Sequence, residues 1–154
     1  MKNILIALDY DPTAQKVAEI GFSLGENADA AITLLHVIAD PSYYASTVYD
    51  PLMGFGGYAS LDLLRPDILN DLKKTSLDFL EKSKQHLGNE NIKTLVKEGS
   101  IAETILETAE ELNADTIVMG SHSKRWLENI LMGSITEYVL HHTSVPLLII
   151  PTKK

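Results

Sequence analysis

Gly120, Ser123, Gly133 and Ser134 combine residue types and a spacing that suit an anion. Glycines let backbone N–H groups come close to a ligand, and a helix amino terminus adds unpaired N–H groups and a partial positive charge. The dipole contributes only about 0.3–1 kcal/mol. A hydrogen bond to a charged acceptor contributes about 1.5–3 kcal/mol, so converging N–H groups dominate. The reading is therefore a phosphate placed between the Gly120-Ser121-His122-Ser123 turn and the helix that opens at Gly133-Ser134. The same residues equally suit a plain turn after a strand and a helix capped by Ser134 with Glu137. Spacing alone does not separate the two.

Other chemistry finds less support. No Gly-x-x-x-x-Gly-Lys-Ser/Thr loop and no Gly-x-Ser-x-Gly elbow occurs, so no catalytic residue is assigned. His141 and His142 are adjacent on a helix and cannot face one another. His36 stands near a strand end without an acidic cluster, and no metal site is expected. Lys124 and Arg125 suit phosphate charge and a solvated loop alike. Tyr43, Tyr44, Tyr49 and Tyr58 suit a cover over a ligand or partner, or a patch on the open end of a sheet.

The elements that must position these residues alternate between two periodicities. Asn3 to Leu8 is a strand apolar on both faces. Asp11-Pro12 opens a helix with Asp11 as N-cap, Val17, Ile20, Gly21 and Leu24 inward, and Gly25 as the stop. Ala30 to Ile38 is a second strand, and about 39 to 65 is a long irregular loop. Pro66 to Leu87 is a helix with Leu69, Leu72, Phe79, Leu80 and Leu87 inward, ended by Gly88. Ile92 to Val96 is a third strand. Ser100-Ile101-Ala102-Glu103 is a capping box opening a helix with Ile101, Ile105, Ala109 and Leu112 inward. Thr116 to Met119 is a fourth strand. Ser134-Ile135-Thr136-Glu137 is a second capping box, on a helix reaching about His142. Val145 to Ile150 is a fifth strand, containing Pro146 and closed by Pro151. Strands alternating with helices imply right-handed crossovers and a doubly wound, five-stranded parallel sheet with four helices, in one α/β domain over 1–154. Ligands of such sheets sit beyond the carboxyl ends of the strands, where Leu8-Asp9 and Gly120 fall.

Composition narrows the partners. A net charge of −8 and a pI of about 5.0 argue against nucleic acid and against an anionic membrane surface. The sequence has no cysteine, which excludes disulfides, thiol nucleophiles and cysteine-bound zinc. Apolar runs are strand-sized and the amino terminus lacks a signal-peptide layout. The expected location is the cytoplasm.

The spacing of Gly120, two residues, Ser123, nine residues, then Gly133-Ser134 resembles the signature of the nucleotide-binding branch of the universal stress protein family. Ser123 stands where that signature has its second glycine. The runs Ile4-Leu5-Ile6-Ala7-Leu8-Asp9, Leu34-Leu35-His36-Val37, Ile117-Val118-Met119-Gly120 and Val145-Pro146-Leu147-Leu148-Ile149-Ile150 are similar to the strands of that family, so the resemblance covers nearly the whole chain. It implies an adenine-nucleotide alpha-hydrolase-like fold with strand order 3-2-1-4-5. It implies Asp9 at the ribose, Val37, Met119 and Ala7 by the base and sugar, and Gly120, Ser123, Gly133, Ser134 and Ile135 at the phosphates. His122, inside the phosphate loop, joins the site. The implied ligand is ATP, or ADP or AMP, with Mg2+ held by the phosphates, and binding is expected to survive Ser123. The implied function is a cytoplasmic stress-response nucleotide binder without substantial catalysis, acting through an unidentified protein partner. The edge strand Val145–Ile150 is implied to pair two-fold and antiparallel into a homodimer. The rivals are an interaction module that binds no nucleotide and a slow ATPase.

Overall fold

The computed structural model describes residues 1–10, 12–39, 66–121 and 133–152. The sheet is built from β1 (Asn3–Ala7), β2 (Ala31–Ala39), β3 (Lys93–Gly99), β4 (Thr116–Gly120) and β5 (Leu147–Ile150), all parallel, in the order β3-β2-β1-β4-β5. The described helices are α1 (Ala14–Asn27), α2 (Pro66–Leu87), α3 (Ile101–Glu111) and α4 (Ser134–His142). The expected fold class and strand order are therefore the observed ones.

Because strand side chains alternate, the sheet divides the apolar residues into two cores. Ile4, Ile6, Leu34, Val118 and Ile150 meet Val17 and Ala18 of α1 and Leu80 of α2. Leu5, Leu35, Val37, Ile117 and Met119 meet Ile105 and Ala109 of α3 and Val139 of α4. The apolar runs of β1, β2 and β4 are thus buried on both faces, as helix-covered parallel sheets require, while the edge strand β5 is half-buried.

The element ends depart from expectation in instructive ways. Helix α1 begins at Ala14 behind Thr13, later than Asp11-Pro12 suggested, and Asp11 itself lies outside the described residues. Gly25 does not stop the helix. A Cβ there would lie 2.6 Å from Ile32 Cδ1, so the glycine is a notch that lets α1 lie against β2. The helix stops instead at Asp29, whose φ is 53°. Asp29 N–H donates to Glu26 O at 3.1 Å and Ala30 N–H to Gly25 O at 2.9 Å, the paired bonds of a Schellman motif with aspartate in the glycine position. Asn113, with φ 51°, ends α3 in the same way. Ile20, expected inward, is exposed. Ser100 occupies the N-cap of α3 but its side chain makes no capping bond. Strand β3 runs on to Gly99 because β2 extends to Ala39 and pairs with it. Strand β5 starts at Leu147, after Pro146 rather than at Val145. The remainder of the expected irregular loop, 40–65, with Tyr43, Tyr44, Tyr49 and Tyr58, lies outside the described residues. At the amino end of the sheet the Asp115 carboxylate accepts N–H groups from Lys2 at 2.6 Å and Asn3 at 2.8 Å. Those bonds hold its carboxyl below the ordinary value.

Gly21 is a second notch. A Cβ there would fall 2.7 Å from Ile6 Cδ1 and 3.2 Å from Val118 Cγ1, both on fully buried side chains. Gly21→Val must push α1 away from β1, and overpacking of this kind costs about 1–3 kcal/mol. Urea unfolding should give a lower midpoint with an unchanged slope; an unchanged midpoint would show that the notch carries no packing role.

Candidate functional site

Strands β1 and β4 are neighbours, but the helices that follow them take opposite faces of the sheet. Helix α1 covers the first core and α4 the second, so the chain diverges between the carboxyl ends of β1 and β4. That divergence is the switch point at which doubly wound sheets hold ligands.

The structure gathers most of the expected site residues there. Ala7 ends β1 and exposed Asp9 follows it. Val37, on β2, and Met119, on β4, are 7% and 5% exposed. Ala7, Val37, Met119 and Ile135 all belong to the core on the α3–α4 side. Gly120 ends β4, and Gly133, Ser134 and Ile135 form the start of α4. An apolar group and a helix amino terminus therefore share one face at the carboxyl end of the sheet. His122 and Ser123 lie outside the described residues, as do Lys124 and Arg125.

The second capping box is shifted by one residue. Gly133, extended at φ −71° and ψ 160°, is the N-cap of α4, and its carbonyl accepts the Glu137 N–H at 3.0 Å. Ser134 is thus the first helical residue, and it cannot reach back as the cap. Its exposed position leaves it at the rim of the helix start.

Ser121 holds this corner together, and nothing in its type marked it beforehand. Its N–H donates to Ile150 O at 2.9 Å and its carbonyl accepts the Gly133 N–H at 3.2 Å. Its Oγ accepts the Thr152 N–H at 3.1 Å. One residue thereby ties the end of β4 to the end of β5 and to the start of α4. Thr136, read only as part of a capping box, donates its hydroxyl to Gly120 O at 3.0 Å from a position 2% exposed. The two ends of the expected phosphate turn are fixed by these four bonds, each contributing about 0.5–1.5 kcal/mol. Lys16 adds a bond from Nζ to Pro151 O at 3.1 Å, fastening the segment after β5 to α1.

The histidines are placed separately. His142 donates from Nδ1 to Tyr138 O at 2.8 Å and stacks on the Tyr138 ring at 4.0 Å. His141 lies 3.9 Å from Glu137, and His86 lies 3.1 Å from Glu19. Among the described residues no group of three or more His, Cys, Asp or Glu side chains is placed to hold a metal ion. No described helix is long and apolar enough to cross a membrane. A small hollow lined by Asn3, Ala31, Thr33 and Lys93 opens at the amino ends of the strands, the opposite end from these residues.

An open parallel sheet with a helix amino terminus beside an apolar wall at the switch point defines a doubly wound α/β protein whose ligand crevice, by the general rule for such sheets, lies at that end. The universal stress protein family model matches residues 1–151, and the chain belongs to that family. It is 28% identical to Universal stress protein MJ0577 of Methanocaldococcus jannaschii, over 99% of this chain and 96% of that one. It is 26% identical to Universal stress protein YxiE of Bacillus subtilis, over 96% and 97% of the two chains. A solved structure of MJ0577 superposes with a TM-score of 0.74 at 26% identity, covering 99% of this chain and 97% of that one. Two further solved universal stress proteins share the fold. One, in complex with cAMP, has a TM-score of 0.64 at 16% identity and covers 99% and 98% of the chains. The other, from Archaeoglobus fulgidus in complex with dAMP, has a TM-score of 0.59 at 14% identity and covers 97% of each.

Gly120 has a structural reason to be glycine. A Cβ would lie 2.9 Å from Thr152 Cγ2 and 3.1 Å from Val17 Cγ2. Gly120→Ala should therefore lower stability by about 1–3 kcal/mol, read as a urea midpoint, by forcing the 151–152 segment off β4. Wild-type stability in that variant would mean that the segment moves aside without cost.

Proposed function

We propose that this chain is an ATP-binding universal stress protein, a cytoplasmic nucleotide-responsive regulator of one domain without substantial catalysis. The observation that carries the proposal is the shared face of Ala7, Val37, Met119 and Ile135 with the Gly133–Ser134 start of α4. The apolar group suits an adenine, and the helix start suits phosphates. Asp9, exposed at the end of β1, is assigned to the ribose, and His122 and Ser123 complete the phosphate side. Mg2+ would arrive on the phosphates, since it is commonly held through few protein ligands. The complexes of two relatives with cAMP and dAMP agree with an adenine ligand. ADP and AMP are the alternatives to ATP.

Gly133→Asp tests the assignment. Asp is a better N-cap than Gly, and the backbone at φ −71° and ψ 160° admits it. The helix should therefore persist while a carboxylate occupies the phosphate position. Isothermal titration should show ATP affinity falling by more than about tenfold, or ~1.4 kcal/mol, with the circular dichroism spectrum unchanged. Equal affinity in parent and variant would refute the phosphate assignment. A parent that binds none of ATP, ADP or AMP would favour the interaction-module reading, and steady phosphate release would favour a slow ATPase.

We also propose a homodimer through the β5 edge. The Ile117 N–H donates to Pro146 O and the Ser121 N–H to Ile150 O. By alternation, Leu147 and Ile149 direct their backbone groups away from β4, towards the open edge. Leu147, Leu148 and Ile149 are only half-buried, and an apolar edge of this kind invites a second strand. An antiparallel pair of such edges is self-complementary, as a two-fold interface must be. Ile149→Pro removes one outward N–H and leaves the bonds to β4 intact. Light scattering at micromolar concentration should report a dimer for the parent and a shift to monomer for the variant; a monomeric parent would contradict the edge pairing.

A further inference from the structure

Asp9 is exposed, yet the residues on either side of it are pinned by side chains from other elements. The Leu8 N–H donates to Leu35 O at 2.8 Å, continuing the ladder of β1 on β2. The Leu8 carbonyl then lies 2.8 Å from Nδ1 of His36, which is 7% exposed. A carbonyl only accepts, so His36 carries its proton on Nδ1 and donates it. On the far side of Asp9, the Tyr10 hydroxyl is 2.6 Å from Oγ of Ser76 on α2, itself 1% exposed. The Tyr10 ring packs at a tilt against the His36 ring, with centroids 4.5 Å apart, and against Phe79 of α2 at 5.0 Å. His36 thus sits at the centre of a cluster that joins the end of β1, the middle of β2 and helix α2.

We propose that His36 is a positioning residue. Through its Nδ1–H bond to Leu8 O and its tilted ring contact with Tyr10, it fixes the backbone on which Asp9 is presented to the ligand. The proposal deepens the nucleotide reading and rests on it for the ligand. The positioning itself is a property of the free protein. A strand that has left its ladder has few constraints on its next residues, and here an imidazole and a phenol supply them in place of ladder bonds. The effect on binding is preorganisation: a backbone already fixed on both sides of Asp9 loses less freedom when the ligand arrives.

The geometry also supplies a conservative replacement. The Nδ2 of an asparagine, like Nδ1 of histidine, is attached to Cγ, so His36→Asn keeps a donor facing Leu8 O. His36→Leu keeps apolar bulk and removes the donor.

Two measurements on the full chain test the role. In the free protein, the backbone amide resonance of Asp9 should move in His36→Leu and return towards the parent position in His36→Asn. In titrations with ATP, His36→Leu should weaken affinity by about tenfold, and by less than about twofold when Asp9 is already alanine, since residues acting as a unit are not additive. Circular dichroism confirms that each variant is folded. If the Asp9 resonance ignores His36→Leu, or if the affinity loss is the same with and without the Asp9 carboxylate, His36 does not position Asp9 and the proposal is wrong. A parent that binds no ATP while the Asp9 resonance still follows His36 would refute the nucleotide reading and leave the positioning role standing.

Discussion

The pairing of β1 with β2 on one side and β4 on the other sets almost everything else. Ile4, Leu5 and Ile6 are at most 1% exposed, so β1 contributes to both cores at once. Its two ladders bring Leu35 and Met119 alongside Ala7, with Val37 two residues farther along β2 on the same face, and they leave the carboxyl ends of β1 and β4 adjacent where their helices diverge. Slipping either ladder by one residue would turn the apolar set of that strand to the other face. The candidate site is therefore a consequence of register before it is a collection of residue types.

Around that frame, the corner between β4, β5 and α4 is held by backbone groups more than by side chains. Ser121 uses its N–H and hydroxyl on the end of β5 and the residues after it, and its carbonyl on the start of α4. An anion site made of peptide N–H groups needs its backbone held still, because each donor is worth most when it does not have to be reoriented on binding. The Ser121 bonds, with the Thr136 hydroxyl on Gly120 O, fix the backbone at Gly120–Ser121 and at Gly133, where the proposed phosphate site requires it. The aromatic cluster of Tyr10, His36 and Phe79 does the same for the end of β1.

Periodicity made the sheet legible, because strands buried on both faces leave long apolar runs, and helix α2 was bounded correctly by Pro66 and Gly88. The signature glycines led to the carboxyl ends of the strands for the same reason. Helix ends were harder to read. Gly25 and Gly21 are notches for isoleucines that arrive from other strands, and nothing local distinguishes a notch from a stop. Asp29 and Asn113 take the left-handed conformation, a choice that single residues disclose weakly. The cap of α4 fell on Gly133 instead of Ser134 because the Ser121 carbonyl holds the Gly133 N–H. Ser121 and His36 act through partners at least 12 residues away in sequence, beyond the reach of any local pattern.

The central strand is also the first to be made. Ile4 pairs with Ile32 on one side and with Thr116 on the other, and Asp115 secures the backbone of Lys2 and Asn3. At about 5–20 residues per second, roughly ten seconds of synthesis separate β1 from its second neighbour. Through that interval the emerging β1–β2 pair has an apolar edge open along β1, in the most crowded surroundings the chain will meet. The order of translation thus leaves the β4-facing edge of the most buried strand without its final neighbour until Thr116–Gly120 is made, although α1 is already present to cover one face.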